Sequence, residues 1–182
     1  MILYHIGKAI IEKPDIHYGR KNADFAQGFY LSNHLEFSLK WATFDKDSIT
    51  YLNKYELDLN GLKIKEFTKD KDWFNYIYKN RNNYPDSLSE FDLIIGPISN
   101  DILYNTLGIT TSGMLDLEKS YKLLTLGNSY TQFVIKTEKA NSNLKFIESK
   151  IIKEEDVIKL KKKFKKEEKK FQKLFFKTLN KF

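Results

Sequence analysis

Apolar residues along the chain fall into short runs with two kinds of spacing, and each kind predicts a different element. Residues 2–6 (Ile-Leu-Tyr-His-Ile) are branched and aromatic and predict a short strand. A polar stretch from about Lys13 to Gln27 separates them from a glycine-led strand over 28–32, GFYLS. Asn33 is placed to cap a helix in which Leu35, Leu39 and Ala42 recur at helical spacing, with Trp41 alongside. Ile49, Tyr51, Tyr55, Leu57 and Leu59 predict a strand over 49–59. Asn60-Gly61 then marks a turn, and Leu62, Ile64 and Phe67 supply the strand that returns. Trp73, Phe74, Ile77 and Tyr78 share one face of a helix over 70–81. After the loop NRNNYPDS comes a buried strand over 91–95, ended by Gly96-Pro97. Helices over 101–107 and 115–124 follow, then strands over 130–137 and 144–152. From residue 154 onward Val157, Leu160, Phe164, Phe171, Leu174 and Phe175 form the stripe of one long amphipathic helix, interrupted at Glu167 and Glu168. Short strands and helices without βαβ alternation predict an α+β fold with mostly antiparallel sheet. The expected organisation is one domain over 1–152 and a Lys-rich C-terminal helix over 153–182.

Charge changes the picture only at one end. The net charge is +7, but residues 150–182 carry thirteen lysines against five acidic residues, and the remaining body is close to neutral. The basic excess therefore describes the tail and not what the body binds. The absence of cysteine removes disulfides, thiolate metal sites and cysteine nucleophiles, and it fits a reducing cytoplasm. The first residues, MILYHIGKAI, lack the basic and long apolar regions of a signal peptide, and no apolar run reaches the ~18 residues of a membrane span. His5, His17 and His34 lack the spacing of zinc ligands, and His17 and His34 read as incidental. Neither P-loop, dinucleotide-fold nor nucleophile-elbow patterns occur.

Three fragments in order, LYHIG, DFAQGFYLS and YTQFVIKT, resemble the bacterial branch of the ADP-ribosyltransferase superfamily whose signature is His–Tyr–Glu/Asp/Gln. More narrowly, ILYHIGKAIIEKPDI, RKNADFAQGFYL, KWA, FDLIIGPISND and SYTQFVIKTEKA are similar to a family of bacterial proteins of unknown function placed in that clan. The likeness spans about residues 2–148. It implies a core of two packed, mostly antiparallel sheets with peripheral helices. It also implies NAD+ as co-substrate, with no metal, and transfer of ADP-ribose to a protein or nucleic-acid acceptor. A bacterial toxin or defence effector with a cognate antitoxin would fit, acting in the cytoplasm and away from membranes. An NAD+ glycohydrolase is the alternative, as is a non-catalytic module that binds NAD+, ADP-ribose or nucleic acid.

The same resemblance assigns residues. His5 would hold the adenosine-side ribose, and the peptide groups of Ile6 and Gly7 would clamp the carboxamide. Tyr30 would stack on nicotinamide, with Gly28 and Phe29 beside it. Gln132 would bond a hydroxyl of the nicotinamide ribose, and His5, Tyr30 and Gln132 should line one cleft. Arg20 suits the diphosphate, because a guanidinium is a bidentate phosphate partner. Asp24 would order its loop through local hydrogen bonds, and Asp101 would position an acceptor. Two positions depart from the usual signature. Ile6 stands where a glycine usually follows the histidine. Gln132 stands where glutamate is commoner, so the group there offers hydrogen bonds but no charge.

Overall fold

The computed structural model describes residues 1–45, 47–99, 116–127 and 130–181. The strands are β1 (Ile2–Gly7), β2 (Phe29–Ser32), β3 (Thr50–Leu57), β4 (Ile64–Glu66), β5 (Leu93–Pro97), β6 (Thr131–Ile135) and β7 (Leu144–Ile152). The helices are α1 (Leu35–Leu39), α2 (Lys71–Arg81), α3 (Leu117–Leu124), α4 (Glu138–Ser142) and α5 (Glu154–Leu179). Side-chain acceptors fix where the helices start: Asp70 accepts from the Trp73 N–H at 2.9 Å, and Asp116 from Lys119 at 2.8 Å. At α1 the cap is His34, one residue beyond the expected Asn33, with its Nδ1 accepting from Phe37. The short α4 was not legible as a helix. The expected helix over 101–107 lies outside the described residues.

The fold is α+β, and the sheet is mostly antiparallel, in the order β4-β5-β6-β2-β1-β3-β7. Among the described strands only β4 and β5 pair in parallel. The strand after Asn60-Gly61 does not return along β3. Gly61 does make the turn, at φ 73°, but both edges of β3 are already taken, by β1 and by the nine-residue β7. The chain therefore carries β4 across to β5. Nor do the described strands form two separate sheets. β1 and β2 pair at a single position, Tyr4 opposite Ser32, and this one pairing joins β4-β5-β6-β2 to β1-β3-β7. β5 also continues through Gly96 and Pro97, which pair with Gln132 and Thr131.

Strand alternation divides the buried residues into two cores. One face contributes Leu3, Phe29, Leu31, Tyr55, Leu93, Phe133 and Ile135, so both halves of the sheet share it. The other face contributes Ile94 and Val134, covered by Trp73, Phe74 and Ile77 of α2 and by Phe175 of α5. The C-terminal helix thus packs on the body through Val157, Phe164 and Phe175. Leu174, expected in that stripe, is 43% exposed. Among the described residues no helix is long and apolar enough to cross a membrane.

Asp92, buried at the start of β5, gathers the Thr137 hydroxyl at 2.6 Å, the Lys63 N–H at 2.8 Å and the Lys139 ammonium at 3.2 Å. The Thr137 bond leads in holding its carboxyl below the ordinary carboxylate range. Because the folded pKa lies below the unfolded one, Asp92 stabilises the fold at neutral pH. That contribution is lost as pH falls through the ordinary range toward the depressed value. Thr137→Val removes the leading bond, and also the cap that Thr137 gives α4. The lost cap lowers stability at every pH. The lost Asp92 bond makes the fall in unfolding free energy between about pH 7 and pH 3 smaller than in the parent. Urea titrations at the two pH values should show that shallower dependence; parallel curves would refute the coupling.

Candidate functional site

The three fragments singled out in the sequence lie on adjacent strands. β6, β2 and β1 are neighbours, and Gln132, Ser32 and Tyr4 form one row across them. His5 is the next residue after that row on β1, and Tyr30 lies two residues before it on β2. Beyond the row, β1 keeps its pairing with β3 through His5, Ile6 and Gly7 but has no strand pairing with β2. The two halves of the sheet separate here, at His5.

The imidazole of His5 occupies the separation. Its Nδ1 lies 2.8 Å from the Tyr30 carbonyl, and a carbonyl can only accept, so Nδ1 carries the proton. The ring lies 4.5 Å from that of Phe29. A β-carbon on Gly7 would come within 3.3 Å of Nε2, so the glycine leaves room for the imidazole. Burial lowers the pKa of His5, opposed by the bond to Tyr30. The neutral ring therefore presents Nε2 as a hydrogen-bond acceptor.

Tyr30 and Gln132 turn the other way. Their partners across the ladder, Val134 and Ser32, place both side chains on the face covered by α2 and α5. The Tyr30 hydroxyl accepts from the Phe25 N–H at 3.0 Å and donates to the Ala26 carbonyl at 2.7 Å. It thereby ties down Ala26, which is held at φ 58°, in the left-handed region. Burial foremost, and then the Asp24 charge, raise the Tyr30 pKa far above its ordinary value, so the phenol is neutral. Gln132, 4% exposed, stands between Ser32 and Gly96, and its amide nitrogen lies 3.5 Å from Asp24 Oδ2. The other Asp24 oxygen pairs with Arg81, whose Nε lies 2.6 Å away. Asn80 donates to the Asp24 carbonyl at 3.0 Å.

The single cleft expected for His5, Tyr30 and Gln132 is therefore two clusters on opposite faces of β2, because adjacent strand positions point to opposite sides. They are linked through the Tyr30 backbone. The remaining assignments divide in the same way. Ile6 is half-buried and pairs with Leu52. Phe29 is a core ring. Space for a Gly28 side chain is filled by the Ile135 carbonyl, 2.6 Å from where a β-carbon would sit, so that glycine serves strand packing. Arg20 is exposed, and its charge reaches the Tyr30 phenol. Asp101 lies outside the described residues.

Sequence reasoning missed Asn80 and Arg81. A signal was present. Trp73 and Ile77 set the buried stripe of α2, and the next positions on that stripe are 80 and 81, where polar residues stand. Polar groups on a core-facing stripe need partners, and Asp24 supplies them.

No curated protein matches the chain. Residues 1–146, the sheet with its helices up to the third residue of β7, match the family described as protein of unknown function DUF3990, and the chain belongs to that family.

Proposed function

We propose that the protein is an NAD+-dependent mono-ADP-ribosyltransferase acting in the bacterial cytoplasm on a protein or nucleic-acid acceptor. What supports this reading is the adjacency of β1, β2 and β6. Three motifs far apart in the chain meet on neighbouring strands at the point where the sheet parts. The His5 side of the sheet carries groups of the kind a dinucleotide needs, while Tyr30 and Gln132 lie on the other face. His5 Nε2 accepts from a ribose hydroxyl, and the exposed Arg20 matches a diphosphate. The peptide groups of Ile6 and Gly7, which would clamp the carboxamide, lie where β1 pairs with β3 but not with β2.

In the reaction, the bond between nicotinamide and ribose breaks with its electron pair leaving on nicotinamide. An acceptor oxygen or nitrogen then bonds to the sugar carbon and loses its proton to solvent. The sugar passes through an oxocarbenium-like state, as in glycoside cleavage. Asp24 stands beside Gln132 with its charge balanced by Arg81, so Gln132 offers the sugar hydrogen bonds and not charge.

Incubation with labelled NAD+ and bacterial lysate tests the reading. Label on protein or nucleic acid supports it, and nicotinamide release without labelled macromolecule makes the enzyme a glycohydrolase. His5→Ala should lower kcat/KM about tenfold to a hundredfold, through loss of one hydrogen bond and the orphaned Tyr30 carbonyl. In the parent, activity should be flat above neutral pH and fall on acidification, through a midpoint below that of an ordinary histidine, as Nε2 becomes protonated.

One observation favours a second reading. The Tyr30 hydroxyl and the Gln132 amide are both engaged within the protein. A module that binds NAD+ without turnover needs nothing more of them. Calorimetric binding without nicotinamide release would select it.

A further inference from the structure

We propose that the outward face of α5 is a nucleic-acid-binding surface that grips the phosphate backbone. Helical spacing places Lys159, Lys162, Lys166, Lys169, Lys173 and Lys177 in one row of threes and fours, and all six are exposed. The row is about 27 Å long at 1.5 Å per residue. None of the six has an ion pair with a described residue, whereas Lys163, on the flank, reaches Glu36 at 2.7 Å. Like charges at this spacing destabilise a helix by about 0.2–0.5 kcal/mol per pair. The row therefore carries a repulsion that a bound polyanion would relieve.

The nature of the polyanion follows from where the other face is. A basic amphipathic helix binds a membrane by burying its apolar stripe in the interface. Here Val157, Phe164 and Phe175 are buried on the body, and Phe175 belongs to the same core as Trp73. The apolar groups left outward are Ile158 near one end and Leu174 and Phe176 near the other; Ile158 stands sixteen positions from Leu174, and residues two apart on a helix do not share a face, so they form no continuous stripe. What remains is a straight line of cations with neighbours about 5–6 Å apart, an array that can follow the closely spaced phosphates of a nucleic-acid backbone. Binding of this kind is insensitive to sequence and steep in salt.

Fluorescence anisotropy of the full-length protein with a labelled 20-base-pair DNA duplex tests the surface. Affinity should fall at least tenfold between about 50 and 200 mM salt, since each phosphate contacted contributes roughly −0.9 to the log–log slope. A Lys166→Glu, Lys169→Glu, Lys173→Glu variant should lose at least tenfold at 50 mM salt. Its circular dichroism and Tm should stay near the parent's, because these side chains touch nothing in the core. Duplexes of unrelated sequence should bind alike. The proposal is overturned by absence of binding at 50 mM salt, by equal binding of parent and triple variant, or by binding to phosphatidylserine vesicles with none to DNA. None of these results depends on whether NAD+ is cleaved.

Discussion

Replacing Arg81 by methionine is expected to cost about 3–5 kcal/mol of stability, the usual penalty for stripping one partner from a buried ion pair. The pair is well enclosed, with the Arg81 and Asp24 side chains 15% and 10% exposed. Methionine keeps most of the volume of the arginine stem, so the loss is electrostatic and not a cavity. What remains is a carboxylate between Gln132 and the loop that Tyr30 ties down, stripped of its Arg81 partner. For a chain of this size the cost corresponds to a fall in Tm of roughly 6–20 °C. Adding Asp24→Leu should recover most of the fall, because an apolar pair of similar volume is often no worse than a buried ion pair. Thermal melts of the parent, the single and the double variant decide the matter. A single variant melting within about 2 °C of the parent would mean that water, and not Arg81, balances Asp24.

The elements with strong local signals were legible in the sequence. Asp70 starts α2 because its side chain caps the first turn, and Trp73, Phe74 and Ile77 keep the helix against the sheet. β7 and the start of α5 fall where the change from alternation to helical spacing puts them. What pattern alone could not supply was pairing. Asn60-Gly61 makes its turn, but a turn does not say which strand the chain meets next. That depended on β7, some eighty residues later, covering the free edge of β3. The candidate site was legible to the same degree. The order of motifs put His5, Tyr30 and Gln132 on three strands, and those strands are neighbours. The direction of each side chain depends on register, and Tyr4 opposite Ser32 sends the His5 ring to one face and the Tyr30 ring to the other. The Asp24–Arg81 pair escaped notice because fifty-seven positions separate its members.

Changing Gln132 to glutamate looks like a restoration of the commoner acidic residue, yet alone it should lower both stability and any activity. The new carboxylate would stand about where the amide nitrogen is, 3.5 Å from Asp24 Oδ2. Both groups are buried, at 4% and 8% exposure. Two like charges at that distance repel by roughly 5 kcal/mol at an effective dielectric near 20, less what Arg81 screens. One of them will take up a proton to escape, leaving a neutral acid where charge was intended. Combining Gln132→Glu with Asp24→Asn reverses the arrangement: the amide moves to the loop, the carboxylate to β6, and one anion remains for Arg81. The double variant should regain at least half of the stability lost by Gln132→Glu, with a coupling of about 0.5–3 kcal/mol between the two positions. Denaturant titration of the four proteins measures that coupling, and simple additivity would show that the two side chains do not share one pocket. Nicotinamide release separates geometry from chemistry. If the amide limits stabilisation of the cationic sugar, the double variant should release nicotinamide faster than either single variant and faster than the parent. Recovery of stability without gain in rate would leave the pocket as described and remove Gln132 from the reaction.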